Sequence, residues 1–198
     1  MTISKAFTDY SWNFISLGIL AASGILINLI ILKFFSVDAL GIFNQTYALF
    51  VIFSQLSVLG IHYSVLKRSS EVTEERQEYK NIFLGGVLAV FICASTVTII
   101  FYASSSLFSK VLDSVFIEDT IKIVSPALLL FSINKVIASF LNGQEKMKHF
   151  AIINITRYIS LITFLLIFIN LGFTEVNIIY MFFFSELIVL IMCLSFSY

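Results

Sequence analysis

The chain has 198 residues, of which 59% are hydrophobic and 12% charged, with a formal net charge of +0. A soluble domain carries about twice that charged fraction, and a neutral chain has no global field to attract nucleic acid. Mean hydropathy is +1.00. The apolar residues come in blocks of about 20, the length of a membrane-crossing helix. The expected class is therefore an all-α, polytopic protein of the lipid bilayer. The short alternating strands of a membrane β-barrel do not occur in the pattern.

Six spans are expected, at about 10–32, 41–66, 82–102, 121–141, 150–171 and 176–196, forming a single transmembrane lobe over residues 1–198. The first holds small residues, Gly18, Ala21, Ala22 and Gly24, that let helices approach closely. Asn28 is its one strongly polar side chain at depth. No cleavable signal is expected, because this block is too long for a signal-peptide core. The second span is spotted with Asn44, Gln45, Gln55 and His62 and exits on Lys67 and Arg68. A lone His there reads as a hydrogen-bonded interface residue rather than a metal ligand.

Ser69 to Lys80 is the one strongly hydrophilic segment, with acids and bases nearly cancelling. It reads as a solvated loop or short surface helix acting as a linker. The third span carries no charge, and Gly85 and Gly86 favour close packing. Between Ser104 and Thr120 the apolar residues fall on one helical face, as in a short helix lying on the membrane; an ordinary loop is the alternative. The fourth span holds Pro126, expected to kink it, and Lys135. The fifth holds Asn154 and Arg157, and the sixth holds Glu186 near its middle. Cys93 and Cys193 lie in apolar blocks and read as small buried hydrophobes, with no disulfide or metal role.

The Lys/Arg bias sets the orientation. With the N-terminus inside, Lys5, Lys67, Arg68, Arg76, Lys80, Lys146 and Lys148 are cytoplasmic, and only Lys33, Lys110 and Lys122 are outside. Both termini are then expected in the cytoplasm, with the turn from Asn142 to His149.

Lys135 and Arg157 stand at equal sequence distance either side of Lys146. In an antiparallel hairpin this puts two cations at one depth, two to three helical turns inside the membrane edge at about 1.5 Å per residue. Such charges are expensive and mark candidate functional sites. Arg offers a planar fork matching phosphate oxygens, and Lys a mobile point charge. The candidate substrate-binding set is therefore Arg157 and Lys135, with Asn154, Asn28 and Gln45 as polar lining. Glu186 is the candidate counter-ion to Arg157, or the site of a coupling proton or Na⁺. Structural readings stand beside these. Lys135 can snorkel to the interface; Arg157 and Glu186 can form a pair with no cargo role; Asn28, Gln45, Gln55 and Asn154 can be interhelical hydrogen bonds. There is no glycine-rich phosphate loop, HExxH, GxSxG or paired-Cys motif, so neither enzymatic chemistry nor a resident cofactor or metal is expected.

Two stretches carry a family likeness. Ala39 to Arg68, ALGIFNQTYALFVIFSQLSVLGIHYSVLKR, is similar to the second helix of polysaccharide flippases of the multidrug/oligosaccharidyl-lipid/polysaccharide exporter superfamily: a Gly-aromatic start, a polar-spotted helix, an LG pair and a basic exit. Phe140 to Ile162, FLNGQEKMKHFAIINITRYISLI, resembles that family's turn between the fourth and fifth helices. The resemblance implies a flippase for an undecaprenyl-pyrophosphate-linked oligosaccharide, such as an O-antigen or capsule repeat unit. It implies the bacterial cytoplasmic membrane, drive by an ion gradient, and a cavity between two six-helix lobes faced by cations. The sequence departs from that pattern in having no basic residue in its first two apolar cores and in corresponding to the N-terminal half alone. A missing second six-helix lobe, or a second copy, would then complete it. The alternatives are a drug/cation antiporter of the same superfamily, which would favour acidic over basic cavity residues, and a membrane scaffold subunit that transports nothing.

Overall fold

The computed structural model describes residues 3–72 and 76–197, with side chains from residue 11 onward and outside 73–76. Residues 73–75, the centre of the expected hydrophilic linker, lie outside the described residues. Among the described residues the chain is helical and contains no strand: α1 (Ile3–Phe34), α2 (Val37–Val58), α3 (Ile61–Glu71), α4 (Arg76–Ala103), α5 (Ser105–Val111), α6 (Val115–Gly143), α7 (Met147–Asn170) and α8 (Tyr180–Ser197), with a 3-10 turn at Asn177–Ile179 before α8. Among the described residues, six segments are long and apolar enough to cross a membrane: Ser11–Phe34, Val37–Val58, Gln77–Ala103, Val115–Gly143, Met147–Asn170 and Asn177–Ser197.

Local signals explain most boundaries. Ser36 caps α2, its hydroxyl accepting from the Ala39 amide at 3.1 Å, and Asp38 sits in the first turn against the positive end of the helix dipole. The second apolar run does not continue to Leu66 as expected. It breaks at Leu59 and Gly60, which take φ values of 44° and 77°, a left-handed pair that an α-helix cannot pass through. Beyond this break, α3 is a separate amphipathic helix carrying Lys67 and Arg68. The expected solvated segment is thus in part helical, up to Glu71 and again from Arg76.

Three further expectations shift. The helix expected over 104–120 is only the seven-residue α5; α6 starts at Val115, well before the expected Ile121, and runs through Pro126 without ending. The polar turn expected over 142–149 shrinks, because α6 extends to Gly143 and α7 begins at Met147. Glu145 closes that turn with a φ of 57°.

α6 is the central post. Its buried residues span nearly its whole length, from Ile117 to Gly143, and it packs against α2, α3, α4, α5, α7 and α8. Hydroxyl pairs tie it to α2: Thr46 Oγ1 donates to Thr120 Oγ1 at 2.7 Å, and Ser57 and Ser132 share a hydrogen bond of 2.5 Å. In an apolar surrounding such pairs satisfy groups that would otherwise be stranded. Both pairs join residues in the same order along the two helices, so α2 and α6 run parallel. α1 packs mainly along α7 and only lightly on α2, which leaves a gap between α1 and α2.

At one end, α3 is pressed onto the last turn of α6. A Cβ placed on Gly143 would overlap Ser69 Oγ and the Leu66 carbonyl oxygen, so only glycine fits. The expected close packing at Gly86 is also present, with a Cβ there falling 2.5 Å from a Val65 methyl; Gly85 has nothing near it. Cys193 is buried, as expected, while Cys93 is only half-buried on α4.

Candidate functional site

Lys135, Arg157 and Glu186 converge where α2, α6, α7 and α8 meet. Arg157, on α7, and Glu186, on α8, are 8% and 3% exposed. Arg157 Nε donates to Glu186 Oε1 at 2.7 Å, and its Nη2 donates to Oε2 at 3.4 Å. The third arm of the fork, Nη1, donates to Asn154 Oδ1 one turn away, at 3.2 Å. Ser185 fixes the crossing of α7 and α8 by donating to the Arg157 carbonyl at 2.9 Å.

Glu186 is held from the other side by Asn134 of α6. Asn134 Nδ2 donates at 2.9 Å to Glu186 Oε2 and at 2.9 Å to the Glu186 carbonyl. The Asn134 amide oxygen is buried with no hydrogen-bond partner. One acceptor is thus left open beside the ion pair.

Lys135 is next to Asn134 on α6 but points to another face. Its Nζ reaches across to α2 and donates to Gln55 Oε1 at 2.9 Å. Among the described residues it has no acidic partner within ion-pair distance. The two cations share one aromatic neighbour: Lys135 Nζ lies 5.9 Å from the Phe131 ring centroid, and Arg157 Cζ lies 4.9 Å from the same centroid. One ring thus stands beside both cations, an arrangement that attracts cations on its own account.

The other polar candidates are distributed differently. Asn154 joins the cluster through Arg157. Asn28 faces the gap between α1 and α2. Gln45 is exposed on α2, about 15 Å along the helix axis from Gln55 at 1.5 Å per residue, so it stands outside the charged cluster. Gln55, Asn134 and Phe131 also stand in this cluster and were not among the candidate site residues. Phe131 had a usable signal, since it stands one turn before Lys135 on the same helical face.

His62 lies at the start of α3, beyond the end of the second span, and is 9% exposed. It is not the hydrogen-bonded interface residue expected: its Nδ1 is buried without a partner. Burial first, and the positive charge of Lys135 second, hold its pKa below the ordinary histidine value.

Counted as formal charges, the site brings together two cations and one carboxylate. Glu186 neutralises Arg157, leaving Lys135 as its open positive charge. Metal chemistry is a poor match for such a set, since ammonium and guanidinium groups repel a metal cation.

Fold and site together define a multi-pass helical membrane protein with a buried Arg157–Glu186 pair and Lys135 beside it at the edge of the bundle. A family model described as polysaccharide biosynthesis protein matches residues 6–198, and the chain belongs to that family. Its role is accordingly in polysaccharide synthesis or export. Comparisons with curated proteins and with solved structures return no match.

Proposed function

We propose that the chain is one lobe of a transporter that flips an undecaprenyl-pyrophosphate-linked oligosaccharide across the bacterial cytoplasmic membrane. Both chain ends would face the cytoplasm, and a second six-helix lobe or a second copy would complete the cavity. The observation that carries this reading is the charge imbalance around Phe131, where Lys135 and Arg157 face a single carboxylate. An uncompensated positive charge within a membrane span is costly, and a diphosphate would offset it.

Lys135 is the first contact for such a cargo, because its ammonium is met only by neutral groups, the Gln55 amide and the Phe131 ring. Arg157 has five N–H donors, and three of its bonds are made to Glu186 and Asn154. The remaining donors can meet a second phosphate oxygen. A proton or Na⁺ taken up at Glu186 would weaken its hold on the guanidinium and make Arg157 available to the cargo. This would couple ion entry to cargo binding, and rocking of one lobe against the other would then move the cargo.

The test is export of surface glycan in cells carrying Lys135→Ala or Arg157→Ala in the chromosomal gene. Export should fall about tenfold or more for Lys135→Ala, the loss of one charge-assisted contact, with the protein still present in the membrane at its normal level. Unchanged export in both variants would overturn the phosphate site. Export of a cationic drug instead of glycan would favour the antiporter alternative.

A further inference from the structure

We infer that the gap between α1, α2 and α7 is a sugar subsite, taking a hydroxylated edge of the glycan whose phosphate is held at Phe131; this rests on the phosphate reading of that cluster. The gap is a cavity of about 90 Å³ whose polar lining comprises Asn28 of α1, Asn44 and Tyr47 of α2, and Tyr158 of α7. Among the described residues none of these four side chains makes a hydrogen bond to the protein. Each is a two-way or donor–acceptor group. Asn44 and Tyr47 are exposed and Asn28 and Tyr158 half-buried, so their polar ends are open to a shared polar occupant.

The chemistry of the lining selects that occupant. No acid or base lines the cavity, so an ion gains little there. Amides and phenols match the hydroxyls and acetamido groups of a neutral sugar. The wall supplies the apolar face such a ring needs: Phe43 and Tyr47 are stacked with centroids 6.1 Å apart and planes 2° off parallel. Tyr47 is 41% exposed, so the cavity has an accessible aromatic edge. A whole small-molecule site is typically about 300 Å³ or larger. The cavity therefore accepts one edge of a pyranose, the rest lying in the open space beyond Tyr47.

Its position fits a sugar joined to a phosphate. Rings lead from the cavity to the cations in three steps: Tyr47 to Phe182 at 6.0 Å, Phe182 to Phe50 at 5.3 Å, and Phe50 to Phe131 at 5.7 Å. On the α7 side, Tyr158 directly follows Arg157. The two sites are thus linked by a run of ring contacts and by adjacent residues of α7.

The experiment measures binding of two lipids to the full-length protein in detergent: a polyprenyl diphosphate, and the same lipid carrying one N-acetylglucosamine. The wild type should bind the sugar-bearing lipid about tenfold more tightly, as two neutral hydrogen bonds predict. Asn44→Leu and Tyr47→Phe should each lose part of that increment while binding the bare lipid as before. A Cβ on Gly24, which also lines the cavity, would meet no atom within 4 Å. An added Cβ thus has open space, and Gly24→Leu, by narrowing the gap, should abolish the increment, with its melting temperature measured alongside as a check on folding. Equal binding of both lipids by the wild type would overturn the sugar subsite and leave the phosphate site standing, as would a sugar increment that survives Gly24→Leu. Binding of neither lipid would overturn both.

Discussion

Glu186 receives Arg157 on one side, at 2.7 Å, and Asn134 on the other, at 2.9 Å, so three helices meet on one buried carboxylate. Removing either charge strands the other in the bundle. Arg157→Ala and Glu186→Ala should each destabilise the lobe by about 3–5 kcal/mol, and the double variant Arg157→Ala/Glu186→Ala should recover most of that loss. Thermal melts of the purified variants check this. A double variant no more stable than the singles would show that the two charges do not act as a pair.

Lys135 should behave in the opposite way. Its bond is to the neutral amide of Gln55, at the edge of the bundle. Lys135→Gln should change stability by about 1 kcal/mol or less, while strongly reducing export. A separation of this kind, stability from Arg157 and Glu186 and transport from Lys135, is read by running melts and glycan export on the same panel.

Gly143 tests the junction of α3 and α6. Gly143→Ala drives a methyl into the Leu66 carbonyl, and backbone cannot swing aside as a side chain can. A loss of about 1–3 kcal/mol is expected. Gly86→Ala meets only a Val65 methyl, at 2.5 Å, and should lose less. Melting temperatures ordered Gly86→Ala above Gly143→Ala would agree; the reverse order would count against the packing described.

His62 gives a pH signature. Its folded pKa is depressed by burial and then by Lys135, so the unfolded chain binds the proton more readily. Stability contributed by neutral His62 is present above about 6.5, the ordinary histidine value, and falls as pH drops below it. Melts at pH 7 and pH 5 should therefore differ more for the wild type than for His62→Gln. Equal differences would remove His62 from the account.

Orientation has its own check. A single cysteine at Ser70, in a protein with Cys93 and Cys193 replaced by alanine, should react with an impermeant thiol reagent only in inverted vesicles. Reaction in intact cells would reverse the proposed topology.

How far these features were legible depends on the distance over which residues act. The spans follow from local block length, and the likeness of Ala39–Arg68 and Phe140–Ile162 to polysaccharide flippases points to the family that the match over residues 6–198 shows. The nearness of Lys135 and Arg157 to one another also follows from spacing, because one hairpin joins them. Asn134 and Gln55 were not recognisable in the same way: their partners lie 52 and 80 residues away, and no periodicity reports which helix faces which. The break at Leu59 was hidden for a different reason. Gly60 was visible as a potential stop, but apolar residues continue beyond it, so the hydropathy block runs on while the backbone turns. The start of α6 was placed late because the polar residues Glu118, Asp119 and Thr120 resemble a loop, although they lie in its opening turns.

The seat of α3 on Gly143 also limits how this lobe can move. A helix pinned against backbone at one end of the central post, and packed on α4 as well, ties together three elements that would otherwise slide past one another. Displacement within the bundle is resisted at this junction, and α3, α4 and α6 move as one block.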